Sequence, residues 1–89
     1  MQKSLITIQN KLGLHARASA KLCKLAASFP CEVFMSYKGR RVNAKSIMGV
    51  MLLAAGQGSG VTVRVDGEDE AQAMEAVAAL FERRFDEET

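Results

Sequence analysis

The sequence predicts a two-layer α/β domain with helices packed on one face of an antiparallel sheet. Three observations predict it. Four short stretches alternate apolar with polar residues, and three others carry apolar residues at helical spacing. The two kinds follow one another in the order βαββαβα, and each strand's apolar face needs the cover that amphipathic helices supply.

Residues 2–9 open the chain as a strand, with Ile6 and Ile8 on one face and Thr7 on the other. A helix over 16–28 follows, spacing Leu22, Leu25, Ala26 and Phe29 along one side, and Pro30 stops it. Residues 32–37 alternate Val33, Met35 and Tyr37 with Phe34 and Ser36. Lys38-Gly39 then turns the chain into a return strand from Arg40 to Asn43. Ser46 is placed to cap a second helix over 47–53, because its hydroxyl can accept an amide that a helix start leaves free. Gly56-Gln57-Gly58-Ser59-Gly60 is a loop; it precedes a strand and lacks the Gly-Lys-Ser/Thr ending of a phosphate loop, so no nucleotide site is expected. Residues 61–66 alternate Val61, Val63 and Val65 with Thr62 and Arg64. Asp69 is expected to cap the last helix with Gln72 three residues on, and Met74, Val77, Phe81 and Phe85 mark its buried stripe. Thr7, Thr62 and Arg64 fall on the other face of the sheet, which can be wet.

The 89 residues suffice for one small domain spanning 1–89, and 48% hydrophobic with 25% charged residues is the balance of a soluble globular fold. No apolar run approaches the ~20 residues that cross a bilayer. The alternating N-terminus lacks a signal peptide's apolar core, so a cytoplasmic protein with no membrane association is expected. Cys23 and Cys31 are too few for a disulfide framework and lack zinc-ligand companions, so neither a metal nor another cofactor is expected. A net charge of +2 is too mild to imply nucleic acid. Its distribution is uneven: residues 11–45 hold eight basic side chains against the single acid Glu32, whereas the stretch from Glu68 to Glu88 is acid-rich. Such asymmetry suits a face that docks acidic protein partners.

The only histidine, His15, stands where the first strand gives way to the first helix, in Gly13-Leu14-His15-Ala16-Arg17-Ala18-Ser19-Ala20. A lone histidine beside a helix is ordinarily structural, but three local features argue for chemistry. Gly13 permits an unusual backbone angle or a close approach just before it. Histidine is a poor N-cap, so the position forgoes helix stability. The free amides of Ala16, Arg17 and Ala18 should point out of the helix start, where the macrodipole favours anions, and Arg17 adds a fork of donors suited to phosphate oxygens. The same positive end disfavours an imidazolium, so a neutral ring with a nucleophilic nitrogen is expected. A nucleophile inside an anion cradle can accept a phosphoryl group. No nucleotide loop supplies a donor and a chain this small has little room for a deep pocket, so the economical reading is a carrier between proteins.

The GLHARASA stretch resembles the active-site motif of HPr, the histidine-containing phosphocarrier family of the bacterial phosphoenolpyruvate-dependent phosphotransferase system. Val42 to Met51, VNAKSIMGVM, resembles the family's second motif, around its regulatory serine, and VDGEDEAQAMEAV resembles the start of its last helix. The resemblance covers essentially the whole chain. It implies an open-faced β-sandwich of βαββαβα order, with four antiparallel strands in spatial order 1-4-2-3 covered on one face by three helices. It implies that His15 takes a phosphoryl group on Nδ1 from enzyme I and gives it to a sugar-specific enzyme IIA, with Arg17 stabilising the transferring group. It carries regulatory phosphorylation, by an HPr kinase/phosphorylase, onto Ser46. Such a protein is a stoichiometric carrier and not an enzyme, and a monomer is expected. Two positions depart from the family pattern: Ala18 stands where proline is common, and Ala54 where glycine is common.

The second helix packs Ile47, Met48, Val50, Met51, Leu52 and Leu53 into a short span. One side must enter the core, most simply Ile47 or Val50 with Leu53. Met48 and Met51 either fill gaps or form an adaptable patch that several partners share. The resemblance favours the patch, with Ile47, Met48 and Met51 as docking residues and Lys21 and Lys24 as a basic rim. Two alternatives stand beside this reading: the carrier of the parallel nitrogen-regulatory branch, and a small RNA- or metabolite-binding α/β module. Against RNA, Phe34 and Tyr37 lie on opposite faces of one strand.

Overall fold

The computed structural model describes residues 1–87 and contains the predicted elements in the predicted order. They are β1 (Gln2–Thr7), α1 (Ala16–Ala27), β2 (Glu32–Tyr37), β3 (Arg40–Asn43), α2 (Ile47–Leu52), β4 (Gly60–Asp66) and α3 (Glu70–Glu82). The strands form one antiparallel sheet in the order β1-β4-β2-β3. The βαββαβα sandwich expected from the sequence is therefore present, with its helices on one face.

Register explains which side is covered. Val63 lies opposite Ser4 on one neighbour and Met35 on the other, and Met35 lies opposite Val42, so their side chains share a face. Val61, Val63, Val65, Val33 and Met35 are buried on that face, against Leu22 and Ala26 of α1 and Val77 and Phe81 of α3. Burying each such aliphatic contributes about 1.5–3 kcal/mol, which is what fixes the strands' register. On the open face Phe34 is covered by Arg41, whose guanidinium lies 4.1 Å from the ring centre.

The ends of α1 and α2 and the start of β4 each shift by one residue from the sequence reading, and three further differences have a physical reason. β1 stops at Thr7 because Ile8 leaves the strand ladder: its amide donates to the Ser59 carbonyl at 2.9 Å and its carbonyl accepts from Gly58 at 2.8 Å. Its side chain is fully buried nonetheless. Asp69 does not cap α3, because its backbone is left-handed (φ 63°) instead of extended and its side chain makes no cap bond. Glu70 serves that helix start instead. One oxygen accepts from the Gly67 amide at 3.1 Å and the other pairs with the Met1 ammonium at 2.6 Å. The bond from the chain's N-terminus, then that from Gly67, holds the Glu70 carboxyl below its ordinary range. Finally α3 ends at Glu82, so Phe85 is buried from a separate short turn, Arg84–Asp86, and not from the helix.

Within α2 the choice left open by the sequence is settled: Val50 and Leu53 enter the core and Ile47 stays 43% exposed. Ala54 follows with φ at 51°, a left-handed alanine at the place where the family commonly has glycine. That conformation costs an L-residue about 1–2 kcal/mol, part of which glycine would return through its greater freedom in the unfolded chain. Ala54→Gly should therefore stabilise the protein by about 1 kcal/mol, a rise of roughly 4–8 °C in Tm for a domain of this size. A thermal melt that shows no rise would contradict the left-handed assignment.

Candidate functional site

The turn before α1 is pinned from several sides. Asn10 is fully buried; its carbonyl accepts from the Gly13 amide at 3.2 Å and its Nδ2 donates to the Gly13 carbonyl at 2.8 Å. Gly13 has φ +66°, and a Cβ there would lie 2.5 Å from the Ala55 carbonyl oxygen and 2.7 Å from the Gly56 Cα. Both reasons for a glycine hold at once, since the backbone angle and the space each exclude a side chain. Next, the Leu14 amide donates to the Ala55 carbonyl at 3.0 Å, and the buried Ser19 hydroxyl donates to the Leu14 carbonyl at 3.1 Å.

His15 leaves this turn in an extended conformation (φ −75°, ψ 179°) and occupies the N-cap of α1. Its carbonyl accepts the first helical bond, from Ser19 at 2.9 Å, but its imidazole makes no cap bond. The ring is thus free to face away from the helix axis. Ala16 and Arg17 are exposed beside it, whereas the Ala18 side chain is fully buried and only its backbone can serve the helix start. α1 has no acid in its first turn, so its positive end is not offset by the helix's own side chains. Arg17 forms no salt bridge among the described residues.

A further participant escaped the sequence reading. Glu87 reaches back so that one carboxylate oxygen contacts His15 Nε2 and the other accepts from Asn10 Nδ2 at 3.0 Å. Burial is the largest single influence on this carboxyl and opposes ionisation. The bonds from Asn10 and His15, followed by the charges of His15 and Arg17, outweigh it and hold the group below its ordinary value. The His15 side chain keeps 28% of its surface exposed and Glu87 only 15%, so the carboxylate covers one edge of the ring and leaves the rest reachable.

The turn that delivers Glu87 is strained. Arg84, Phe85 and Asp86 have φ of 55°, 54° and 62°, at a cost of about 1–2 kcal/mol per residue. Their sum exceeds the ~1.5–3 kcal/mol that burying Phe85 returns, even with its ring packed 4.9 Å from that of Phe81. Other contacts must close the balance. The Lys21 ammonium donates to the Phe85 carbonyl at 2.7 Å, and Arg83 Nε donates to Asp86 at 3.0 Å. The only signal in the sequence was Phe85 recurring four residues after Phe81. Glu88, which the sequence reading counted among the acids, lies outside the described residues.

The expected docking residues separate. Lys21 is half-buried and directed at the C-terminal turn, so of the two rim lysines only Lys24 is fully exposed. Met48 is 69% exposed and Met51 38%. Leu52, which the sequence reading named in this helix but not as a docking residue, is also exposed, as is Leu12 in the turn just before His15, which it did not name. Ser46 caps α2 as expected, its hydroxyl accepting from the Gly49 amide at 3.1 Å, and it is exposed.

The fold and the site together define an open-faced α/β sandwich that presents its one histidine at a helix start. The family model described as "PTS HPr component phosphorylation site" matches residues 2–83. The chain is 61% identical over 84 residues to the phosphocarrier protein HPr of Xylella fastidiosa, covering 94% of each chain. It is 64% identical over 81 residues to that of Cupriavidus necator, covering 91% of each. A crystal structure of HPr-C-His from Thermoanaerobacter tengcongensis superposes with a TM-score of 0.96 at 40% identity, covering 100% of both chains. The chain belongs to the HPr family, whose members are phosphocarriers of the phosphotransferase system and not catalytic enzymes.

The Glu87 contacts make stability depend on pH in a definite direction. Its folded value is depressed below 4.5, so its contribution is fully present above 4.5 and is lost as pH falls through the folded value. Urea midpoints of the wild type and Glu87→Ala should therefore differ at neutral pH and converge as the pH falls from 4.5 through the depressed folded value. A gap that stays constant with pH would mean that the carboxylate adds nothing as an anion.

Proposed function

We propose that this chain accepts a phosphoryl group on His15 from enzyme I and passes it to an enzyme IIA of the sugar branch, working as a cytoplasmic monomer. The observation that carries the reading is the placement of His15 at the start of α1, a helix with no acid in its own first turn, with Arg17 exposed and in no salt bridge among the described residues. The amides of Ala16, Arg17 and Ala18 have no carbonyl one turn back within the helix, so they are available to phosphoryl oxygens. Arg17 supplies charge that strengthens as the transferring group becomes more anionic. Incubation with enzyme I and phosphoenolpyruvate should give one acid-labile phosphate, and its retention by His15→Ala would sink the reading. Arg17→Ala should fold normally and transfer roughly 10²–10³ times more slowly, the usual loss when one such stabilising donor is removed.

The exposed side of α2 is the proposed docking face. A carrier has one histidine to present to both donor and acceptor, so Ile47, Met48 and Met51 should touch each in turn, with Lys24 at the rim. Met48→Asp combined with Met51→Asp should weaken both transfers and leave Tm nearly unchanged. A large fall in Tm would make them core residues instead.

Ser46 is proposed as the regulatory site for a dedicated kinase/phosphorylase. Its exposed hydroxyl caps α2, where the helix dipole contributes about 0.3–1 kcal/mol in favour of an added negative charge, so modification should not unfold the domain. The cost falls on docking, since charge appears beside Met48 on a face expected to meet acidic partners. Ser46→Asp should keep the fold but accept phosphoryl groups from enzyme I much more slowly, and added salt should narrow the difference. Equal rates at low salt would leave Ser46 a cap only.

A further inference from the structure

We propose that Glu87, held in place by Asn10, is a positioning residue that keeps the His15 proton on Nε2 and so leaves Nδ1 as the nitrogen that takes the phosphoryl group. The inference rests on the carrier reading above and adds a residue to it. Its basis is geometric. Glu87 touches only one nitrogen of the ring, Nε2, and its second oxygen is held by the fully buried Asn10 side chain. Asn10 is itself tied to Gly13, two residues before His15, so the turn that places the histidine also places its carboxylate. Which nitrogen of an imidazole carries the proton is set by the hydrogen bond the other atoms of the site offer it, and a carboxylate can only accept. The Nε2–H tautomer is the one that fits, and it puts the lone pair on Nδ1.

The same contact acts during transfer. The Nδ1 lone pair forms a bond to phosphorus, the bond from phosphorus to the phosphorylated side chain of the donor breaks, and that electron pair returns to the donor. His15 becomes a phosphoimidazolium with its proton still on Nε2, and the positive charge that develops there faces the Glu87 carboxylate. A buried carboxylate behind a catalytic histidine plays this part in hydrolase triads, holding the tautomer and stabilising the cation without taking the proton. The other charges around the pair are Arg17 and Lys21 from α1 and Asp86 from the C-terminal turn. Of these, Lys21 is directed at the Phe85 carbonyl and lies 3.8 Å from Asp86, whose other partner is Arg83. Among the described residues, the partner of His15 Nε2 is Glu87 and none of these three.

Ring-15N NMR of the unphosphorylated protein at neutral pH tests the first half directly. The wild type should show Nε2 as the protonated nitrogen and Nδ1 as the bare one, and a predominantly Nδ1–H ring would overturn the proposal. The second half is tested with phosphoramidate, a small donor that needs no partner protein and releases ammonia as its P–N bond breaks. The wild type should be labelled at Nδ1, whereas Glu87→Ala should show a new Nδ1–H population and label on both nitrogens, with the amide spectrum of the core unchanged. An identical tautomer and an identical label distribution in the two proteins would overturn it. Failure of enzyme I to phosphorylate His15 at all would instead strike the carrier reading, which the tautomer measurement does not need.

Discussion

Position 13 has room for a hydrogen atom and nothing larger, because the Ala55–Gly56 backbone passes within 2.5–2.7 Å of where a side chain would begin. That close approach, together with the bond from the Leu14 amide to the Ala55 carbonyl, decides where α1 can start. It locks two loops together, the one before the first helix and the one after the second. The consequence reaches His15 directly. A helix that started a residue earlier or later would turn its first residue toward another direction and hand the cap to a different side chain. The left-handed Ala54 is part of the same joint, since it aims the Ala55 carbonyl at Leu14.

Two opposing electrostatic influences then meet at the imidazole. The start of α1 is positive and carries no acid of its own, which favours an anion in front of it. Glu87 approaches from the other side with a negative charge that favours a proton on the nitrogen it touches. These influences act on different atoms, so they need not cancel. A ring that is protonated on one nitrogen, bare on the other and flanked by free helix amides is arranged to receive an anionic group and to give it up again. Reversibility of this kind is what a carrier requires, because transfer from the donor and transfer to the acceptor pass through one site.

Much of this architecture was legible in the sequence because alternation and helical spacing report burial directly. β2 and β3 fall where Val33, Met35 and Val42 required, and Ser46 caps α2 because serine is suited to that place. The special role of position 13 was legible too, since glycine permits both the left-handed angle and the close approach found there. What was not legible shares a physical character. Glu87 meets His15 across 72 positions of chain, through a turn of left-handed residues that contains no glycine. Neither periodicity nor local propensity reports such a contact, because it depends on Phe85 finding the core and Lys21 finding a carbonyl. Asp69 failed as a cap for a related reason: the Gly67 turn leaves its backbone left-handed, and a remote ammonium, that of Met1, engages the neighbouring Glu70.

The central claim is that the first turn of α1 is the seat of the phosphoryl group. The backbone 15N–1H resonances of Ala16, Arg17 and Ala18 report on it most directly, recorded before and after the protein is phosphorylated. If those amides bind phosphoryl oxygens, their proton signals should move strongly downfield in the phosphorylated form and exchange more slowly with solvent, while the amides of α3 stay in place. Unmoved resonances at 16 to 18, in a protein shown to carry phosphate on His15, would contradict the account.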